Sequence, residues 1–511
     1  MTLNIYRRYI LAAVSGALYF LAFVGFDQWY LAWSSLVPLL FALEGVSAKR
    51  AFFIGWLFGA VAFTGGFYWV AHTIHVFAFM PWPVAAAGCL LLCIAQATEF
   101  AAFAFLYVWL RKKTRRSPVF LAVIAFVTAE FISPQLFPHY FGNSQYLWLH
   151  VIQISDLTGV LGVSALLVFV NATIYVIASG IVNERRFRWS AAISAIAVVS
   201  LVIGYGYLRI PVVRADEVVS PKLRFGIAQA NMGIYEKEEN PERAIAISQE
   251  MSLKLKDEGA QIVVWPETAV QEPVLREDAQ KLPDAVFGSI GVSIITGAIQ
   301  RGKGTPYRPL YNVALLADEQ GGIIGSYKKQ KLLMFGEHIP FGDTFPVLYK
   351  WFPYIGRFTT GDSNEPVRFR EYLLNVNICY EDILPRFIRK MMASGPNVII
   401  NITNDNWFGE THEPIQHLAL AAFRAVEHRR WLVRSTNTGI SAFVDATGRI
   451  VSQSPLMGAS MLIAEVPMMK GETVYARLGD WFAWLCIVMV IFLGLGGFKK
   501  RGNICKNSRP G

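Results

Sequence analysis

Cys379 is the side chain in this sequence best suited to covalent chemistry. It lies in the run Asn377-Ile378-Cys379-Tyr380-Glu381, and no other cysteine occurs between Cys93 and Cys486. A lone thiol cannot close a local disulfide, which leaves an inert buried cysteine or a nucleophile. A thiol of pKa about 8.5 is only a few per cent thiolate at pH 7, so a nucleophile needs a base or a cation beside it. Two other runs offer these. Val263-Val264-Trp265-Pro266-Glu267-Thr268 sets a carboxylate just past a buried-strand pattern, and Tyr327-Lys328-Lys329-Gln330-Lys331 precedes the apolar run that ends in Gly336-Glu337. Base, cation and thiol are the parts of acyl transfer: Glu267 takes the thiol proton and later returns one to the leaving group. A lysine, with the backbone N–H of Tyr380, stabilises the oxyanion of each tetrahedral intermediate. The plainer readings are a helix cap for Glu267 and a solvated edge for the lysines.

The elements that must carry these groups alternate between strand and helix patterns. Strands are expected at Leu223–Ala230, Gln261–Trp265, Ser293–Ile299, Tyr311–Ala317, Leu373–Cys379, Val398–Thr403, Ser441–Val444 and Ile450–Ser452, and helices at Pro241–Lys256 and Pro414–Arg430. Glu319-Gln320-Gly321-Gly322 reads as a hairpin turn. The pattern predicts large sheets covered by helices, with Cys379 delivered at a strand end.

Composition adds a membrane. Hydrophobic residues make up 54% of the 511 and charged residues 16%, with mean hydropathy +0.38, against about 25% charged in a soluble domain. Apolar stretches able to span a bilayer, which needs roughly 20 residues, run near 9–26, 51–74, 83–110, 117–133, 160–182, 189–208 and 481–498. An eighth, 29–43, is shorter and contains Pro38. With both termini in the cytoplasm, eight spans put Arg7, Arg8, Lys49, Arg50, Arg111, Lys112, Lys113, Arg115, Arg116, Arg185, Arg186, Arg188 and the tail Lys499, Lys500, Arg501, Lys506 and Arg509 inside. The short outer loops 27–28, 75–82 and 134–159 carry no Lys or Arg. The net charge of +10 is therefore topology, and nucleic acid is not an expected partner. A cleaved signal peptide is disfavoured, because no polar stretch follows the first apolar run. The expected division is seven transmembrane helices over 1–210, a periplasmic catalytic domain over 211–478, and an eighth helix with a basic cytoplasmic tail over 479–511.

Taken together, the three runs resemble the nitrilase superfamily, whose Glu–Lys–Cys triad rides on an αββα sandwich. With flanking spans the resemblance narrows to the apolipoprotein N-acyltransferase family of the bacterial inner membrane. It also takes in Asn404-Asp405-Asn406-Trp407-Phe408-Gly409 and Arg434-Ser435-Thr436-Asn437-Thr438-Gly439-Ile440. The resemblance implies a triad of Glu267, Lys329 and Cys379, the lysine being fixed by its spacing to Glu337. It also implies supporting roles for Glu337, Tyr380 and Glu381, with the two acids holding Lys329. One departure is Asn231-Met232-Gly233-Ile234-Tyr235, where family members can carry a tryptophan.

The implied reaction moves an sn-1 acyl chain of a phospholipid through a Cys379 thioester to the α-amine of a diacylglyceryl-cysteine on an apolipoprotein, with no cofactor or metal. The alternatives are a membrane-tethered carbon–nitrogen hydrolase, an acyltransferase with a different amine acceptor, and a transporter with a binding domain. Aromatics at Phe345, Tyr349, Trp351, Phe352, Tyr354 and Phe358 suit a loop that touches lipid, and 134–159, with Phe137, Tyr140, Phe141, Tyr146 and Trp148, is expected to line the lipid's path. Glu99 and Glu130 lie in apolar segments, where an acid invites a functional reading. His412, His417 and His428 lack a ligand spacing, and Gly494-Leu495-Gly496-Gly497 has no strand before it, as a phosphate loop requires.

Overall fold

The computed structural model describes residues 4–303, 309–352 and 355–504. Tyr354, the side chain of Tyr235 and the tail residues Cys505, Lys506 and Arg509 lie outside that description, as do the side chains of Lys499, Lys500 and Arg501. The chain divides into two units, Met1–Arg209 with Leu478–Gly511, and Ile210–Arg477.

The first unit is helical, and all eight apolar stretches form helix. By length and composition, 82–113, 160–184 and 189–219 suffice to cross a membrane, and Ala48–Gly66 with Trp69–Phe77 makes a fourth candidate bent by 58°. The apolar helices 29–42, 118–132 and 481–496 are shorter. Close packing here relies on small residues. A Cβ on Gly55 would lie 2.3 Å from the Phe100 carbonyl oxygen, so the helix Ala48–Gly66 meets Thr98–Lys113 nearly backbone to backbone. The two acids in apolar segments have local work. Glu130 accepts the N–H of Phe141 at 2.7 Å, Glu99 accepts from the Gln135 amide, and Gln96 accepts the N–H groups of Leu136 and Phe137. They tie down the backbone of the 134–159 segment, where an unbonded N–H would be costly.

The second unit is a layered α/β domain of two sheets. Its strands are β1 Lys222–Gln229, β2 Ile262–Val264, β3 Val270–Arg276, β4 Ser293–Arg301, β5 Leu310–Ala317, β6 Ile323–Lys328, β7 Val367–Phe369, β8 Tyr372–Ile378, β9 Val398–Thr403, β10 Leu432–Thr436, β11 Ala442–Val444, β12 Ile450–Gln453 and β13 Ser460–Pro467. One sheet has the order β13-β1-β2-β4-β5-β6, with β3 on β4; the other runs β12-β11-β10-β9-β8-β7. Between them Phe225, Ile227, Val264 and Leu316 share one core with Leu374, Val376, Ile400 and Val433. Outside the first sheet lies Pro241–Asp257, packed through Ile245 and Leu255 on Trp265, Ile294 and Leu315. Pro385–Met391 and Glu413–His428 cover the second through Ile388, Leu418 and Ala421. All eight expected strands form, with ends shifted by a residue or two; β3, β6, β7, β10 and β13 are additional. Asp318 closes the β5–β6 hairpin by accepting the N–H groups of Gln320 and Gly322.

Candidate active site

Glu267 is positioned by the way β2 stops. Trp265 anchors the strand end, its indole N–H donating to Ser252 Oγ at 2.8 Å and its backbone N–H to the Ile295 carbonyl. Pro266 then lacks the N–H to continue the ladder, and the chain turns, with Thr268 at φ +49°. This turn lies directly on β4, where a Cβ on Gly297 would stand 2.6 Å from the Glu267 Cα and 2.4 Å from the Thr268 nitrogen. Only glycine admits that approach.

Lys329 follows β6, its backbone N–H bonded to the Asn312 carbonyl on β5. Its Nζ lies 3.0 Å from Glu267 Oε1 and 2.8 Å from Glu337 Oε2. Asn312 Nδ2 donates to both carboxylates, at 2.7 Å and 2.9 Å, and Leu333 N–H donates to Glu337. Glu267, Lys329 and Glu337 are thus brought together. The neighbouring lysines point elsewhere: Lys328 pairs with Glu277 and lies over the Tyr311 ring, and Lys331 lies over Phe387. Lys329 is 2% exposed, and Glu267 and Cys379 5% each.

Cys379 comes one residue after β8 ends and opens a 3₁₀ turn, Cys379–Ile383, with φ +55°. A non-glycine residue in that region is uncommon and costs about 1–3 kcal/mol, so surrounding bonds must hold it. Glu381 supplies several: it accepts the N–H of Ile378 at 2.8 Å, those of Gln330 and Lys331 at 2.8 and 2.9 Å, and the Tyr327 hydroxyl. The expectation that both supporting acids grip the lysine ammonium needs correcting in its detail. Glu337 contacts the ammonium, whereas Glu381 binds the backbone that carries it. Tyr380 is half-buried and is the second residue of that 3₁₀ turn, where a backbone N–H has no partner within the turn itself.

The electrostatics follow. Burial pushes the Cys379 thiol well up, Glu267 and Glu337 push it further, and Lys329 and a Thr403 hydrogen bond pull it back. At rest the sulfur is therefore a thiol. Burial works against the Lys329 ammonium, but Glu267, Glu337 and Cys379 outweigh it and hold its pKa well above the ordinary value. Burial raises Glu381 to about 7 against the opposing pull of its N–H donors and Lys329.

The same stretch of chain matches a known catalytic family, Carbon-nitrogen hydrolase, over residues 224–474, and residues 15–173 match the Apolipoprotein N-acyltransferase N-terminal domain. An apolipoprotein N-acyltransferase from Pseudomonas aeruginosa is 30% identical over 502 residues, which cover 96% of each chain. The chain belongs to the apolipoprotein N-acyltransferase family. Another member, from Geobacter metallireducens, is 28% identical over 97% of this chain and 96% of its own. Among solved structures, an amidase from Nesterenkonia sp. aligns with a TM-score of 0.36 at 18% identity, over 50% of this chain and 92% of that one.

This member of the apolipoprotein N-acyltransferase family carries a second buried charge cluster, which spacing along the chain does not announce. His417 Nε2 meets Asp382 at 2.8 Å and its Nδ1 meets Asp405 at 3.2 Å; Arg434 bonds Asp382 at 2.7 Å and Asp405 at 3.0 Å. Ligand-type atoms of Asp405, Glu413 and His417 lie within 4.8 Å of one another, so His417 does have the neighbours its sequence spacing hides. A guanidinium on both Asp405 oxygens makes this an ion-pair network in chemistry, since a cation would have to share that carboxylate with Arg434. Asn312 is the other residue the sequence passes over; its one signal is a polar side chain within the apolar run Tyr311–Ala317.

Proposed function

We propose that this protein transfers the sn-1 acyl chain of a phospholipid to the N-terminal amine of a diacylglyceryl apolipoprotein, with Glu267, Lys329 and Cys379 as its catalytic groups. The observation that carries the reading is the buried Glu267–Lys329–Glu337 cluster, electrostatically coupled to the one thiol of the domain. Glu267 takes the Cys379 proton, and the thiolate adds to the ester carbonyl. Two N–H bonds of Lys329 are directed at Glu267 and Glu337, which leaves the third for the oxyanion, beside the backbone N–H of Tyr380. Collapse expels the glycerol oxygen, which takes the proton from Glu267, and a lysophospholipid leaves. In the second half the acceptor amine adds to the thioester, Glu267 accepts its proton, and the amide departs as the thiol is restored. None of these steps calls on a cofactor or metal.

The membrane setting supports a lipid donor. Each buried methylene is worth about 0.8 kcal/mol, so drawing a sixteen-carbon chain into water would cost on the order of 12 kcal/mol. The enzyme must meet its donor at the bilayer. Beyond Glu337 the segment exposes Phe341, Phe345 and Trp351, an aromatic surface suited to the lipid interface. We read eight spans, cytoplasmic termini and a periplasmic domain over 211–478, from the one-sided distribution of Lys and Arg. The test is mass spectrometry of the purified enzyme after incubation with phospholipid vesicles. An acyl adduct on Cys379, discharged by a diacylglyceryl peptide with a free α-amine, is expected. A Cys379→Ala protein that still transfers acyl groups would exclude the reading.

A further inference from the structure

The left-handed backbone at Cys379 needs restraint from both sides, and Glu381 accounts for one. The other comes from the neighbouring strands. Across β8, β9 and β10, Asn377 is in register with Asn401, and Asn401 with Arg434. Parallel partners point to the same face, so the three fully buried side chains form one row. Asn401 Nδ2 donates to the Cys379 carbonyl at 2.9 Å and to Asn377 Oδ1 at 2.8 Å, and its Oδ1 accepts from Arg434 Nη1 at 2.9 Å. An arginine has donors only, so the amide oxygen of Asn401 has to face it, and both amide hydrogens are thereby turned toward Asn377 and Cys379. Arg434 is itself immobilised. It bonds Asp382, three residues beyond Cys379 in the same 3₁₀ turn, and Asp405, and His417 bridges those two aspartates. The turn is therefore held twice by one guanidinium, directly at Asp382 and through Asn401 at the Cys379 carbonyl.

We propose that Asn401, oriented by Arg434, is a positioning residue for the nucleophile: it fixes the Cys379 backbone so that the sulfur faces Glu267 and Lys329. Thr403, next along β9 on the same face, adds a hydroxyl that donates to Asp405 at 3.5 Å. The inference rests on Cys379 being the nucleophile and goes beyond the proposed acyl transfer in naming what aims it.

The test uses the full-length enzyme in detergent, with iodoacetamide as a probe of Cys379 that needs no lipid. Asn401→Asp keeps the size and the partner for Arg434 but sets an oxygen against the Cys379 carbonyl. Misplacing the sulfur by an ångström is worth about 10²-fold in rate. The expected result is an acyl-adduct rate lower by about that factor, with an unchanged KM for phospholipid vesicles and an altered pH profile of alkylation. Arg434→Lys, which cannot span three acceptors, should show a smaller loss in the same two readouts, and it decides the matter if Asn401→Asp does not fold. Folded Asn401→Asp, or failing that Arg434→Lys, that alkylates and acylates like the wild type at every pH overturns the inference. Transfer that survives Cys379→Ala overturns instead the reading on which it rests.

Discussion

Two buried charge clusters flank the turn at Cys379, and they are built on opposite terms. In one, a single ammonium, Lys329, faces the carboxylates of Glu267 and Glu337 and a titratable thiol. In the other, two cations, Arg434 and His417, face Asp382 and Asp405, and every oxygen of both aspartates and both ring nitrogens are engaged. The first is unbalanced, and its surplus negative charge adds to burial in keeping the Cys379 proton on. The second pairs two cations with two aspartates, and Glu413, whose carboxyl pKa burial pushes well up, lies beside them. Unpaired charge in a buried site is expensive unless it has a task. The difference separates the groups that react from those that hold them.

The largest effects should fall on the unbalanced cluster. Cys379→Ala should abolish transfer, a loss on the scale of about 10⁶-fold for removal of a nucleophile. Lys329→Ala should cost roughly 10²–10³-fold, the usual loss on removing an oxyanion donor, and should raise the pH needed for iodoacetamide to label Cys379, since the cation that favours thiolate is gone. Single-turnover acylation and alkylation rates measure both. Lys329→Ala labelled with an unchanged pH profile would break the assignment of Lys329 to the sulfur.

The clusters should then part company in stability. Asp405→Asn leaves Arg434 and His417 short of a buried counter-charge, which typically costs about 3–5 kcal/mol, and thermal unfolding should detect it. Glu337→Gln removes the second partner of Lys329 at a partly exposed site and should lower the acylation rate about tenfold, in the range of losses on removing an outer partner, while the melting temperature moves little. Equal destabilisation by the two changes would erase the distinction between reacting and holding groups.

How much of this is legible in the sequence depends on how local each signal is. Glu267 and Cys379 stand at the ends of apolar runs, and the strands that carry them can be read from those runs alone. Lys329 is one of three lysines in five residues, and in the sequence only the family resemblance, through the spacing to Glu337, chooses among them. The choice is made by Asn312 and Glu337, whose bonds across β5 and the following loop are tertiary. The second cluster is harder still. Asp382, Asp405, His417 and Arg434 come from two 3₁₀ turns, a helix and a strand, so their common function has no periodicity along the chain. Three of the five missed strands share one feature. β3, β7 and β10 are interrupted by Pro273, Arg368 and Arg434, and Arg434 reads as a loop residue until its buried partners are known.

Glu381 gives a smaller, pH-dependent effect at the turn that carries Cys379. As an anion it accepts the Ile378, Gln330 and Lys331 N–H groups, and a proton would turn one oxygen into a donor facing donors. Burial raises its pKa to about 7, so the acylation rate should fall as pH drops through that value. Glu381→Gln should lower the rate and remove that acid limb. A limb that persists in Glu381→Gln would have to come from another group.

The smallest effect tests whether the holding cluster is as balanced as its contacts imply. Burial and the Arg434 charge oppose a protonated His417, yet Asp382 and Asp405 outweigh them and raise its pKa to about 10, against an ordinary value of about 6.5. A raised folded-state pKa means that the native protein holds this proton more tightly than the unfolded chain does. The stabilisation is fully present below about pH 6.5 and is lost as pH rises through about 10. Removing the imidazole with His417→Gln should therefore lower the melting temperature most at pH 6–7, and the gap from wild type should narrow steadily toward pH 10. A gap that stays constant over that range would mean His417 is neutral in the fold. Arg434 would then face the two aspartates alone, and the holding cluster would carry the same kind of surplus negative charge as the reacting one.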